Sequence, residues 1–430
     1  MLLVYTPKIT SRISYVFKHI FIRMLKLEVG LTMSVADFVS HNGPKLSYSN
    51  KPLGNELFFY STKLLIDQGI QDHTINISHT SKYPVFFQVN DNSAMSFDVF
   101  AATFYLISRY EEYLPHLKDF KGRFKFKESV AFKNNFLDKP LIDIWVVELK
   151  KILIKNFQIT INDPIKNKKI FPILEVSEPY MFRHKSIISS FNQALNSIWN
   201  LNFKMLINQF YVIFRIRTDP FLEYDFIINQ FKNIKIDITS FFRFTQHSYD
   251  IGAISIYSLP HKLLIKNISD KISLNLLVSF FAQKKIKVLK SEMYNLTKLI
   301  HRTTQKVRLN YGILSISEIY PMLVLNEVSD DFSMGYDDQL GYRASTSIPF
   351  YYYDLINEVQ SPLKIHPIAV TEKALRKLPI KHAFEKLRRI HSELPLNNSI
   401  FYFVFTPYFF SKSKENLLWR SSLIKYIDEL

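Results

Sequence analysis

Beyond residue 169 short apolar runs alternate with longer stretches whose apolar residues fall at helical spacing. Lys169–Val176, 236–244, 274–281, 312–316, 363–366 and Ile400–Phe405 read as strands, while 224–232, 287–301 and 380–394 read as helices. Alternation of strands with helical stretches points to layers of sheet and helix. The second part of the chain is therefore expected to be an α/β layered or barrel structure. No internal repeat and no low-complexity linker interrupts it.

The first part differs. Leu2 to Thr6 is a short apolar run ended by Pro7, and Thr10 or Ser11 can cap a helix bearing Ile13, Val16, Phe17, Ile20, Met24 and Leu27 on one stripe. Lys18, Arg23 and Lys26 lie mostly off that stripe, which suits a helix covering a sheet better than one lying on a membrane. A helix is expected over 97–113, closed by Leu114-Pro115, with Arg109, Glu111 and Glu112 near its end, and another over 141–154. Polar, lysine-rich residues 156–169 then break the pattern. The expected division is an N-terminal α/β domain at 1–165 and a second domain at 166–430.

Of the 430 residues 47% are hydrophobic and 22% charged, the balance of a folded globular chain. Lys+Arg 55 against Asp+Glu 38 gives +17, which favours anionic partners in general. The lysines are scattered, as AT-rich codons would scatter them, so nucleic acid is not an expected partner. Zero cysteines exclude disulfides, thiolate metal sites and a cysteine nucleophile. Neither a secretory leader nor a transmembrane stretch is apparent, and the expected location is cytoplasmic.

With 9 glycines the chain contains no G-x-G-x-x-G, P-loop or G-x-S-x-G, which removes those routes to nucleotide binding and serine catalysis. The 12 histidines never stand three or four apart; the nearest neighbours are His73 with His79 and His382 with His391. A metal site would need ligands from distant residues. Glu175 and Glu178 could place two carboxylates at a barrel mouth, where catalytic groups collect, or form a solvated acidic turn. His366 without a local partner reads equally as structural.

Phe97-Asp98-Val99-Phe100-Ala101-Ala102, continuing to Ser108-Arg109-Tyr110-Glu111-Glu112-Tyr113, resembles the signature of an N-terminal domain that precedes a polysaccharide deacetylase domain in one bacterial group. Asp331 to Tyr336, Gly341-Tyr342-Arg343-Ala344-Ser345-Thr346, Pro349-Phe350-Tyr351 and Lys364-Ile365-His366-Pro367 are similar to the distal half of that deacetylase domain. Pro7 to Thr10 and Pro52 to Glu56 extend the likeness over essentially the whole chain. The resemblance implies a distorted, incomplete (β/α) barrel. It also implies metal-dependent hydrolysis of N- or O-acetyl groups on glycans, with a divalent metal such as zinc polarising the carbonyl and activating water. An acetylated glycan or cell-envelope polysaccharide is the implied partner.

The chemical motifs depart from that pattern. Where relatives carry Asp-x-Asp after the first barrel strand, this chain reads Glu175-Val176-Ser177. Leu277 stands where a metal histidine is expected, Phe405 where a proton-donating histidine is expected, and Asn310 replaces a histidine beside Arg308. The resemblance therefore implies a deacetylase-like hydrolase fold with its metal ligands lost and its activity lost or severely weakened. The alternative is a non-catalytic glycan-binding or scaffold protein. Glu175 is the candidate catalytic residue, Arg308, Arg343 and His366 the candidate substrate-binding residues, and no residue is assigned as a metal ligand.

Overall fold

The computed structural model describes residues 1–78, 82–89, 92–161, 169–246 and 254–429. His79 and residues 162–168 of the polar stretch lie outside them. The chain builds two sheets. The first has four parallel strands, β1 (Leu2–Tyr5), β2 (Val29–Thr32), β3 (Lys45–Ser49) and β4 (Leu57–Tyr60), in the order β2-β1-β3-β4. Thr10 accepts a hydrogen bond from the Ile13 amide and starts the helix that follows β1. Ile13, Val16, Phe17, Ile20 and Met24 on that helix are buried, so it covers the sheet.

Asp98 caps the next helix, Val99–Ile107, by accepting from the Ala101 amide at 3.0 Å. All of this helix is buried, and Phe100 stacks on Phe17 at 4.2 Å. It is shorter than the expected 97–113. Arg109 takes a left-handed conformation (φ +54°), which breaks the helix at Ser108 and turns Glu111 and Glu112 toward the arginine side chain.

The second sheet contains β5 (Lys169–Val176), β6 (Thr239–Phe242), β7 (Ser273–Val278), β8 (Lys306–Leu309), β9 (Asp330–Met334), β10 (Phe350–Asp354), β11 (Val359–Pro367), β12 (Val370–Thr371) and β13 (Ile400–Phe405). Its order is β10-β11-β9-β8-β7-β6-β5-β13-β12, parallel throughout except for β10, which runs antiparallel at one edge. One expected strand is corrected. Residues 312–315 form a turn with Gly312 at φ +81° that leads into the helix Ile316–Leu325, and the strand is β8 just before it.

This sheet is curled into an incomplete barrel. Four strand steps separate β5 from β9, about 19 Å in a flat sheet, yet the rings of Phe171 and Phe332 stack at 5.6 Å. Six steps separate β11 from β13, about 29 Å if flat, yet His366 Nδ1 and the Tyr402 hydroxyl are 2.7 Å apart. Inward-facing Ile173, Phe241, Leu277, Phe332, Ile368, Tyr402 and Val404 fill the interior. The opposite faces of the strands join the helices in a core that runs on into the first sheet and its helices. The fold is thus α/β, with a parallel α/β unit followed by a distorted, open (β/α) barrel.

Residues 341–347 tie the two units together. The Tyr342 amide donates to Leu137 O at 2.7 Å, and the Ile142 amide to Ser345 O at 3.0 Å. Asp143, wholly buried, accepts from the Thr346 hydroxyl at 2.6 Å and the Ser347 amide at 2.9 Å. Burial pushes its carboxyl up to about 6 despite those donors.

Candidate functional site

Glu175 and Arg308 are the next-to-last residues of β5 and β8, so both stand at the C-terminal end of the barrel, where this architecture carries its chemistry. Their side chains meet inside it. Arg308 Nε donates to Glu175 Oε2 at 2.6 Å, and Arg308 Nη1 donates to Phe332 O at 2.5 Å. Arg308 is 6% and Glu175 15% exposed, so the pair is largely withdrawn from water. Ser177 donates to Asn310 Oδ1 at 3.2 Å beside them, while Asn310 Nδ2, buried, finds no acceptor among the described residues. Glu178 does not join this group, since its carboxylate is held by Lys185 at 2.7 Å.

His366 belongs to a different layer. Its ring lies flat on Phe332, with centroids 4.0 Å apart and planes 4° apart. Nε2 lies 2.7 Å from Oδ1 of Asp330, the first residue of β9, and Nδ1 the same distance from the Tyr402 hydroxyl. Burial holds the imidazole below its usual range, although Asp330 opposes that. For Asp330, burial raises the carboxyl and the hydrogen bond from His366 lowers it, with a net lowering. A neutral ring donating from Nε2 to a carboxylate and accepting from Tyr402 at Nδ1 satisfies both directions. The Phe332 side chain lies against this chain of hydrogen bonds, and its carbonyl receives Arg308.

Arg343 is not gathered with Glu175 and Arg308. It is 3% exposed and holds Glu112 through Nε at 2.8 Å and Nη2 at 2.5 Å. Arg109 shares that carboxylate at 2.7 Å, reaches Glu111 at 2.8 Å, and donates to the Arg343 carbonyl. Burial raises the Glu112 carboxyl, but Arg343 and Arg109 prevail and hold it down to about 2. Two of the sequence blocks that carry the resemblance, 108–113 and 341–346, thus meet in one buried charge cluster between the units.

The residues do not fit the divalent metal that the resemblance implies. Glu175 is engaged by Arg308, Leu277 is a hydrocarbon side chain in the apolar interior, and Asn310 offers an amide. His366 is already bonded at both ring nitrogens. Among the described residues no three His, Asp or Glu side chains gather to hold an ion. The reading of Phe405 needs correction, however. Successive residues of a strand face opposite ways, and Tyr402 and Val404 take the inward positions of β13. Phe405 packs outward, against Phe231 and Phe410, each at 5.5 Å.

Above the pair, loops after β8 and β9 meet a segment of the first unit. Arg123 donates to Tyr311 O at 2.6 Å, and the Lys121 ammonium lies 3.9 Å from the Tyr311 ring centre. Asp337 receives Lys373 at 2.6 Å, and burial, which raises its carboxyl, is outweighed by Lys373 and Arg123. A cleft of about 330 Å³ opens here, lined by Phe120, Phe124, Phe126, Tyr336, Asp337 and Arg343 among others. The sequence reading missed Phe120, Arg123 and Asp337. No local motif marks them, because they face one another only once the first unit docks on the barrel.

Residues 2–158 match DUF7033, a family of unknown function. A search of curated proteins finds no significant match. Among solved structures the chain is similar to a Mycobacterium smegmatis protein assigned as a polysaccharide deacetylase, at 10% identity and TM-score 0.37, covering 62% of this chain and 86% of that one. It is also similar to PuuE allantoinase, at 12% identity and TM-score 0.39, covering 62% and 85%. A third likeness is to the 4-alpha-glucanotransferase of Thermococcus litoralis, at 14% identity and TM-score 0.37, covering 61% of this chain and 38% of that one. The fold assignment rests on the strand order and closure described above. Among the described residues no helix is long and apolar enough to cross a membrane.

Proposed function

We propose that this chain is a deacetylase-type barrel that does not carry out metal-dependent hydrolysis and binds an acetylated glycan without turning it over. The observation that carries the reading is the Arg308–Glu175 pair. The carboxylate nearest to the place of a family catalytic group is bonded to a guanidinium at 2.6 Å, with Leu277 in the interior layer. A carboxylate so engaged is poorly placed to bind an ion or accept a proton.

The cleft above supplies what a sugar needs: aromatic side chains Phe120, Phe124 and Tyr336 in its wall, and the Asp337 carboxylate, which Lys373 and Arg123 both approach at Oδ2, to accept hydrogen bonds from hydroxyls at Oδ1. Arg343 contributes to its wall while its guanidinium stays on Glu112. The same reading takes residues 1–165 and 166–430 as the two domains, the first closing one side of the cleft, and takes the protein to act in the cytoplasm.

Calorimetric titration with N-acetylated chito-oligosaccharides tests it, alongside acetate release measured with added Zn²⁺. Saturable binding lost in Phe120→Ala/Asp337→Asn, with no acetate released, supports the proposal. Acetate release that Glu175→Gln abolishes overturns it, and so does the absence of any saccharide binding.

A further inference from the structure

Between β5 and β6 the chain inserts two helices, Ile187–Trp199 and Phe203–Ile213, whose amphipathicity is reversed. Ser186 caps the first and Asn202 the second, and the Gln209 side chain donates to Ser190 O at 2.8 Å to hold them as a hairpin. The buried positions on these helices are Ser197, Gln209 and Val212, two of them polar. Most of the exposed positions are apolar, with Asn192, Asn196 and Lys204 the polar ones. Ile187, Phe191, Leu195, Ile198 and Trp199 recur at the spacing of one helix face, and so do Phe203, Ile207, Phe210 and Phe214. A helix that hides amides and shows aromatics is the converse of an ordinary surface helix. Apolar surface left contiguous in this way marks an interaction site.

Its charge indicates the occupant. From residue 179 to 218 there is no Asp or Glu, although 38 acidic residues in 430 would place about three or four in such a stretch. The same stretch carries Arg183, Lys185, Lys204, Arg215 and Arg217. Lys204, Arg215 and Arg217 are exposed and flank the second apolar stripe. Trp199 sits at the bend of the hairpin, 89% exposed. Aromatic and aliphatic residues on one face, with cations and no anions beside them, are the composition of helices that lie in the interface of an anionic bilayer. Neither helix is long enough to span one.

We propose that the hairpin 187–217 docks this protein on the surface of a membrane rich in anionic phospholipid. The apolar stripes enter the headgroup region and the three exposed cations pair with phosphates. This inference does not depend on glycan binding in the cleft.

Flotation of the full chain with phosphatidylglycerol vesicles, against pure phosphatidylcholine vesicles, tests it. The chain is expected to float with phosphatidylglycerol and to shift its tryptophan emission to the blue, because Trp199 is the exposed indole and Trp145 and Trp419 are already buried. Trp199→Ser/Phe210→Ser is expected to weaken partition by about a hundredfold, about 2.8 kcal/mol, since two aromatic side chains leave the apolar layer. Lys204→Glu/Arg215→Glu is expected to remove the preference for phosphatidylglycerol. Far-UV circular dichroism of both variants should match the parent. Failure to float would overturn the proposal, as would unchanged partition in the aromatic variant. A dimer in gel filtration that the aromatic variant dissolves, with no vesicle binding, would assign the face to a second copy of the chain instead.

Discussion

Arg308 on β8 reaches across the barrel interior to Glu175 on β5, three strands away, and closes on it at 2.6 Å. This one contact joins the fold to the functional reading. On the proposed function it occupies the candidate catalytic carboxylate, and it neutralises a buried charge that would otherwise destabilise the interior.

Removing one partner leaves the other charged and largely buried. Arg308→Met is expected to cost about 3 kcal/mol, whereas Glu175→Leu/Arg308→Met, which removes both charges, should cost clearly less than the two single changes added together. Urea unfolding of the parent, the single variants and the double variant measures the coupling. Additive costs would mean that the pair contributes nothing as a pair.

The pH dependence follows from Glu112. Its folded-state value of about 2 lies below the ordinary 4.5. The folded protein therefore binds fewer protons than the unfolded chain between these values. The stabilisation is present above pH 4.5 and is lost as pH falls toward 2. Thermal unfolding of Glu112→Gln should show a flatter decline across that window than the parent, from a lower starting stability.

Arg343→Lys keeps the charge and loses the two-point grip on Glu112. It is expected to lower stability by about 2 kcal/mol and to leave saccharide affinity, measured well below the melting temperature, unchanged. A loss of affinity with stability intact would restore Arg343 to the role of a ligand-binding residue.

Gly341 has φ +126°, and a Cβ there would lie 2.3 Å from Leu137 O. Its own amide donates to Ala369 O at 2.9 Å, so neither neighbour has room to withdraw. Gly341→Ala should destabilise by about 3 kcal/mol or more through backbone strain and overlap, read as a drop in the urea midpoint with an unchanged slope.

Much of the barrel could be read from local pattern. Lys169–Val176 and Ile400–Phe405 are strongly apolar runs, and they became paired strands with the expected bounds. β8 escaped notice because Lys306 and Arg308 interrupt a run of four residues, and the arginine that hid the strand is the one facing the interior. The strands β2 to β4 are four or five residues long, too short for a period to emerge. Leu277 lies on an expected strand and faces the apolar interior, while its place as that of a ligand rests on the resemblance. Phe405 does not face that interior, since one residue of register moves a side chain through the sheet. Arg343 stood out by resemblance, but its partner Glu112 is 231 residues away, and its role is visible only where the two units meet. The hairpin 187–217 has helical periodicity, yet periodicity does not say which face meets water.

The most direct test of the central claim is calorimetric titration of the metal-stripped full chain with Zn²⁺, with Glu175→Ala beside it. The account predicts no stoichiometric binding in either protein. One equivalent of Zn²⁺ bound by the parent and lost in Glu175→Ala would contradict it, because Glu175 would then be a metal ligand and not the partner of Arg308.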